Sequence, residues 1–500
     1  MNKEFVELKE RLSEIHDLSS AIAVLDWDQQ VNMPSAGAEG RANQLALLSR
    51  LAHEKFVDGR IGELLDSLKS FTDGLDPESD EACLVKVTKR EYERNIKVPS
   101  SFVAKFARTA SNAHVEWEKA KDASDFPLFR PWLEQIFDLR REYAGFFAPY
   151  DHVYDPLLSE FEPGLKTAEV KAIFDTVRPA QVELIQAIGQ CPEAEDSFLH
   201  QKLDPQLQWE LGVEASNAIG FDRSRGRQDK SVHPFTTTFD LNDVRITTRI
   251  IPDNFASGFF STMHESGHAM YEQGISPSLR HTPLCTGASL GIHESQSRLW
   301  ENLVGRSLDF WIFFYPRLRS KFPGYFDNVS LKDFYRGINK VKRSLVRTES
   351  DEATYNLHIM LRLEIEISVL EGKVAVRDLP EIWNVRMKEY LGVVPDNDAH
   401  GILQDVHWAG GAVGYFPTYA LGNMISAQVW ECVNRDIPDL SEKIRQGSFA
   451  ELHDWLAEKI YRHGAKFEPQ ELVRKVTGSK IDPAPYIRYL NRKYRDVYGL

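Results

Sequence analysis

The stretch LVRTESDEATYNLHIMLRLEIEISVLEG, residues 345–372, repeats apolar side chains three and four positions apart, which is the period of a long helix. The same spacing recurs in FVELKERLSEIHDLSSAIAVL (5–25), AHVEWEKAKDA (113–123) and WLEQIFDLRREYAGFF (132–147). Between such runs stand short breakers, among them VNMPSAGAEG, GLDPES, YDPLLSEFEPG, ISPSLRHTP and VVPDND, which read as helix connections rather than flexible linkers. There is no low-complexity run, internal repeat or sharp composition shift. The expectation is a mostly α fold, one large helical unit over residues 1–500.

One segment departs from this period. In SVHPFTTTFDLNDVRITTRIIPDNF (231–255), Asp243, Arg245, Thr247 and Arg249 alternate with Val244, Ile246, Thr248 and Ile250 after a short polar turn. That pattern predicts a β-hairpin with one polar face. An edge strand here would pair with an extended peptide through its main chain, with Arg245 and Arg249 either selecting the peptide's end or lying on a solvated face.

Directly after it comes FASGFFSTMHESGHAMYEQG (255–274), which holds an HExxH at His264, Glu265 and His268. Residues four apart share one face of a helix, so the two imidazoles can serve one metal ion. Glu265 is placed to take a proton from a water on that ion. The third ligand expected is Glu294, in GIHESQSRLWENLVG, where residues 295–306 read as a second helix lying across the first. A helix with Phe259, Phe260, Met263, Ala269 and Met270 would not bury two imidazoles and a carboxylate without partners, because unpaired polar groups cost several kcal/mol.

Composition narrows the class. With 42% hydrophobic and 27% charged residues the chain reads as an ordinary soluble globular protein, and its net charge of −14 argues against nucleic acid as a partner. No apolar stretch approaches the roughly 20 residues needed to span a bilayer, and the charged, amphipathic start MNKEFVELKERLSEIHDL lacks the apolar core of a secretory signal. Cys83, Cys191, Cys285 and Cys432 are widely spread and form no CxxC, so a reduced, cytoplasmic location is the default expectation.

HPF (233–235), DVRIT (243–247), HESGH (264–268), HESQ (293–296), VRTESD (346–351) and GILQDVHW (401–408) together resemble the ordered motif series of the M32 carboxypeptidases, the carboxypeptidase Taq family. The resemblance runs from LDWDQQVNMP (25–34) past GYFPTYALGN (414–423). It implies a saddle-like or neurolysin-like helical molecule with a deep groove, a divalent metal (zinc, with cobalt able to substitute), often a homodimer, and broad carboxypeptidase specificity on peptides. It assigns His264, His268 and Glu294 as metal ligands and Glu265 as general base, in agreement with the reading of the residues. Ser350 stands where the family pattern usually has Ala, a small change that adds a hydrogen-bonding group near Asp351.

Peptide hydrolysis also needs donors for the oxyanion, and an exopeptidase needs an anchor for the α-carboxylate. His407 and Tyr415 or Tyr419 are the oxyanion candidates, although His407 beside Trp408 also reads as a core histidine. Arg347 is the first anchor candidate and Arg245 the second, with His233 of the HPF motif grouped with them; Arg347 with Asp351 four residues on also reads as a plain helical ion pair. His293 is expected to bind a carboxylate behind the ligands, and Asp351 and Glu301 to orient the ligand imidazoles. The rival functions are an endo-oligopeptidase, which needs no carboxylate anchor, and a non-catalytic peptide-binding scaffold with a structural metal, which needs no Glu265.

Overall fold

A computed structural model describes residues 2–500 of the chain. The elements that matter for the site are two N-terminal helices, α1 (Lys3–Val31) and α2 (Ala38–Phe56); three strands, β1 (Gly226–Lys230), β2 (Thr236–Asp240) and β3 (Asp243–Thr248); and helices α3 (Phe255–Gln273), α4 (Leu290–Arg298), α5 (Glu352–Leu370), α6 (Pro417–Asp436) and α7 (Ala484–Tyr498). Among the described residues no helix is long and apolar enough to cross a membrane.

Helix starts follow local chemistry. Asn254 Oδ1 accepts from Ser257 N at 3.2 Å to open α3, Ser289 Oγ accepts from Ile292 N at 3.1 Å to open α4, and Pro417 occupies the first position of α6. The main core gathers α3, α4, α5, α6 and α7 into one apolar cluster. A smaller one joins Phe5, Leu8 and Leu12 of α1 to Leu241, at the β2–β3 turn, and to Ile275, Leu279 and Leu284 after α3.

α4 is the tightly held element. Gly267 of α3 lies so close that a Cβ there would sit 2.7 Å from Gln296 O and Ser297 Cα, and a Cβ on Gly422 of α6 would sit 2.5 Å from Glu294 Cγ. At the start of α4 the fully buried Glu162 accepts the Gly291 N–H, while the Phe161 carbonyl accepts from Leu290 N at 3.3 Å.

The expected hairpin forms from β2 and β3 within a three-stranded sheet in the order β1-β3-β2: β1 pairs parallel to β3 and β2 antiparallel, so β3 is central and β2 is an edge. β1, GRQDK, carries no run of β-branched or aromatic residues by which its strand could be recognised. Two helix bounds are corrected. The helix read from residue 345 begins only at Glu352, because the Asp351 carboxylate accepts from Ala353 N and Thr354 N as the N-cap, leaving Arg347 in a 3₁₀ turn (Arg347–Glu349). The 295–306 helix begins earlier, at Leu290, and turns π-helical over Leu299–Gly305.

Gly267→Ala and Gly422→Ala are each expected to destabilise the fold by about 1–3 kcal/mol through overpacking, whereas Gly40→Ala, with open space around it, is expected to be neutral or slightly stabilising. Thermal denaturation of the three variants checks this. Burial pushes the Glu162 carboxyl up to about 8, above its unfolded value, so folding takes up a proton. The associated stability is whole below the unfolded pKa and is lost as pH rises towards 8. Glu162→Gln should therefore gain on wild type in melting temperature between pH 5.5 and pH 8.5; a constant difference would refute this.

Candidate active site

His264 and His268 stand one turn apart on α3 with ring centroids 4.9 Å apart, and the Nε2 of each lies 3.5 Å from Glu294 Oε2 on α4. The three donor atoms lie within 4.8 Å of one another, the only such group of metal-ligating side chains among the described residues. A tetrahedral ion bound at about 2.0–2.1 Å sets neighbouring ligands roughly 3.4 Å apart, so the spacing fits a divalent metal.

The imidazole orientations support the same reading. His293 Nε2 lies 2.7 Å from Glu272 Oε1, so this nitrogen carries the proton and His293 Nδ1 is an acceptor. His268 Nδ1, 2.6 Å away, must then donate to it, which leaves His268 Nε2 with a free lone pair. His264 Nδ1 is 2.9 Å from Glu301 Oε2, so its Nε2 is free in the same sense. The expected contacts are present, His293 with a carboxylate and Glu301 with the His264 ring. Asp351 is not beside a ligand imidazole, because its carboxylate is committed to the start of α5 and to the Lys342 N–H at 2.8 Å. Ser350 Oγ donates to the Arg347 carbonyl at 2.5 Å.

The π-helical turn brings Glu301 to His264 and lets one guanidinium serve two carboxylates. Arg298 Nε reaches Glu294 Oε1 at 2.6 Å and its Nη1 reaches Glu301 Oε2 at 3.2 Å; Arg306 Nη2 adds a 3.3 Å contact to Glu301 Oε1. Burial disfavours charge on both imidazoles. In His268 it prevails and pushes the pKa down to about 3; in His264 the carboxylates of Glu294 and Glu301 outweigh it and the pKa rises. Glu294 itself is buried, yet Arg298 and the imidazoles hold it ionised, far below the usual carboxylate range.

Glu265 is buried beside the cradle, and the Thr236 hydroxyl of edge strand β2 donates to its Oε2 at 2.6 Å. Burial raises its pKa, against His264 and the Thr236 hydroxyl, which lower it. Such a carboxyl can both take a proton and keep it for the next step.

The other sequence candidates fall into two groups. His407 Nε2 lies 3.3 Å from the Tyr419 hydroxyl, and the His407 ring packs 5.3 Å from Tyr415 and 4.6 Å from Phe416. Burial pushes His407 down to about 4, so it is neutral near pH 7. Arg347 is buried, with Nε 3.2 Å and Nη2 2.8 Å from Asp405 and Nη1 2.8 Å from the Tyr355 hydroxyl; it does not pair with Asp351. Its centre lies 5.1 Å from the Tyr419 ring, which brings Arg347, His407 and the tyrosines together. Arg245 stands apart. Its register neighbour is Thr237, whereas Thr236 pairs with Ile246, so Arg245 faces away from α3, forked onto Asp243 and stacked 4.5 Å over Trp27 of α1. His233 is exposed in the loop between β1 and β2, its carbonyl accepting from Ser231 Oγ.

Several residues escaped the sequence reading. Glu272 continues the ligand face four residues beyond His268, and Arg298 lies four beyond Glu294, so helical spacing alone would have found both. Asp405 sits inside the QDVHW motif and holds both Arg347 and Arg362. Arg362 and Tyr355 carry no such signal, since a long α5 with apolar residues on every side hides which of its polar groups point at the site.

A helical fold around an HExxH helix, with a glutamate ligand from a following helix, defines a metallopeptidase. Residues 7–494 match the family described as Carboxypeptidase Taq (M32) metallopeptidase. The chain is 39% identical to Carboxypeptidase 1 of Bacillus subtilis, over 100% of this chain and 99% of that protein, and 40% identical to Thermostable carboxypeptidase 1 of Thermus thermophilus, over 96% of each. It superposes on the M32 carboxypeptidase from Deinococcus radiodurans with a TM-score of 0.97 at 38% identity, covering 100% of both chains. The chain belongs to the carboxypeptidase Taq (M32) family and is a metallocarboxypeptidase.

Glu301→Ala should weaken metal binding about 10- to 100-fold, because His264 loses the group that fixes its ring. Exposed Glu381→Ala serves as the control and should leave affinity unchanged. Competition with a metallochromic chelator measures both.

Proposed function

We propose that this metallocarboxypeptidase is zinc-dependent and removes single residues from the carboxy terminus of peptides with broad specificity. The observation that carries the reading is the juxtaposition of a buried, hydrogen-bonded Glu265 with a three-donor cradle whose ring nitrogens are already oriented. Two imidazoles and one carboxylate suit zinc, and also cobalt or manganese. When bound, such a cation supplies a Lewis acid and an attacking water of lowered pKa.

The chain's own residues account for the remaining steps. Glu265 takes the proton of the attacking water at its carboxylate and delivers it to the leaving amine; its raised pKa suits both transfers. Thr236, hydrogen-bonded to Glu265, fixes the direction in which that carboxylate works. Neutral His407, with Tyr415 or Tyr419, donates to the developing oxyanion. Arg347 receives the free α-carboxylate of the substrate, supported by its place beside Tyr419 and His407, whereas Arg245, turned away from α3, has no part in this reading. The four free cysteines support a cytoplasmic setting, and kinship with the family supports a homodimer.

The test is mass spectrometry of a short unblocked peptide and its carboxy-terminal amide after incubation with zinc-loaded enzyme. Wild type should shorten the free peptide one residue at a time and leave the amide intact, and Glu265→Gln should be slower by about 10²- to 10⁴-fold. Internal cuts that ignore the amide would replace this reading with the oligopeptidase, and no loss of rate in Glu265→Gln would remove the base.

A further inference from the structure

Glu366 of α5 is fully buried, and three donors converge on its carboxylate. Trp408 Nε1 reaches Oε1 at 2.7 Å, while the Tyr154 hydroxyl and the Gly414 N–H reach Oε2 at 2.5 Å and 3.2 Å. An indole N–H and a backbone N–H can only donate, so this environment calls for an acceptor on both oxygens. Burial raises the Glu366 pKa to about 7, against the pull of these donors.

The partners are placed on both sides of one loop. Trp408 directly follows His407, and Gly414 directly precedes Tyr415. Gly414 has a positive φ of 101° and approaches so closely that a Cβ would lie 2.7 Å from the Leu157 backbone, so its N–H cannot readily turn elsewhere. Trp408 is wedged against Trp383, Phe137 and Phe416. Within the loop, Ala412 N donates to the His407 carbonyl at 2.9 Å, closing it into a unit that the single carboxylate grips at two points.

We propose that Glu366 is a positioning residue for the reaction: by holding Trp408 and Gly414 it sets where His407 and Tyr415 present their donors. The inference rests on the role given above to His407 and takes Tyr415, rather than Tyr419, as its partner. Glu366→Gln keeps the shape but offers one acceptor oxygen, so either the indole or Gly414 is left facing an NH₂ group. A displaced donor costs transition-state binding more than ground-state binding.

Steady-state kinetics on a short unblocked peptide test this with zinc-loaded wild type, Glu366→Gln, the double variant His407→Ala/Tyr415→Phe, and the triple variant. Glu366→Gln should lower kcat about 10- to 100-fold, less than full removal of an oxyanion donor, with KM within about threefold and metal content unchanged. Adding Glu366→Gln to the double variant should change kcat by less than about threefold, since the groups it positions are already gone. Wild-type kcat in Glu366→Gln, or losses that multiply in the triple variant, would overturn the proposal while leaving His407 and Tyr415 in place. Wild-type kcat in the double variant would overturn the role of His407 and Tyr415, and the proposal with it. Should Glu366→Gln fail to fold, Trp408→Phe removes the indole donor alone, and a kcat loss absorbed in the double variant is again the expected result; an unabsorbed loss overturns the proposal.

Discussion

Helix α4 runs between α3 and α6 at a separation that leaves no room for a Cβ at Gly267 or Gly422. Because Glu294 sits on α4 and the two histidines on α3, that separation sets the two 3.5 Å distances between the carboxylate oxygen and the imidazole nitrogens. A shift of α4 by a few tenths of an ångström is small for packing but comparable with the roughly 0.2 Å tolerance of a metal ligand. The glycines therefore act on chemistry through packing. Glu162 and the Phe161 carbonyl, at the other end of the same helix, keep it from sliding along its axis.

Charge is distributed around this helix in alternation. Four carboxylates, Glu265, Glu272, Glu294 and Glu301, face two guanidinium groups, Arg298 and Arg306, with the imidazoles between them. A divalent cation in the cradle would add positive charge where carboxylates outnumber guanidinium groups, which is the electrostatic counterpart of the geometric fit. Tyr355 then links this cluster to the next: its ring lies 4.7 Å from Arg298, and its hydroxyl accepts from Arg347, which shares Asp405 with Arg362. Breaking any one buried pair would leave an uncompensated charge, typically a loss of about 3–5 kcal/mol.

The helical class, the β2–β3 hairpin and the three donors of the cradle were legible in the sequence because each rests on a local period. Spacing of 3.6 gave α3, spacing of 2 gave β3, and i,i+4 placed both histidines on one face. What resisted reading depends on contacts between distant segments. β1 is polar and becomes a strand only because β3 pairs with it. The start of α5 was misplaced because apolar periodicity continues through the Asp351 cap, and a cap is recognised by its hydrogen bonds rather than by hydrophobicity. The same oversight made Asp351 seem available to Arg347, or to a ligand imidazole. Glu366 and Asp405 each gather donors from residues more than 40 positions away, which no spacing rule detects.

The arginine side of the site carries its own constraint. Arg347 directs Nε and Nη2 to Asp405 and Nη1 to Tyr355, so its planar fork is engaged by the protein's own groups. A substrate carboxylate can replace the neutral Tyr355 hydroxyl at Nη1 with little electrostatic loss, but taking the Nη2 edge means competing with a buried carboxylate that also serves Arg362. Arg245 is engaged in the same manner by Asp243. An anchor held by an internal partner binds less tightly than a free fork, but it stays oriented and does not leave a buried positive charge alone between turnovers. Under the role proposed for Arg347, recognition of the peptide's end is set by geometry at Nη1, which fits the proposed breadth of specificity because the side chain of the departing residue then contributes little to the choice.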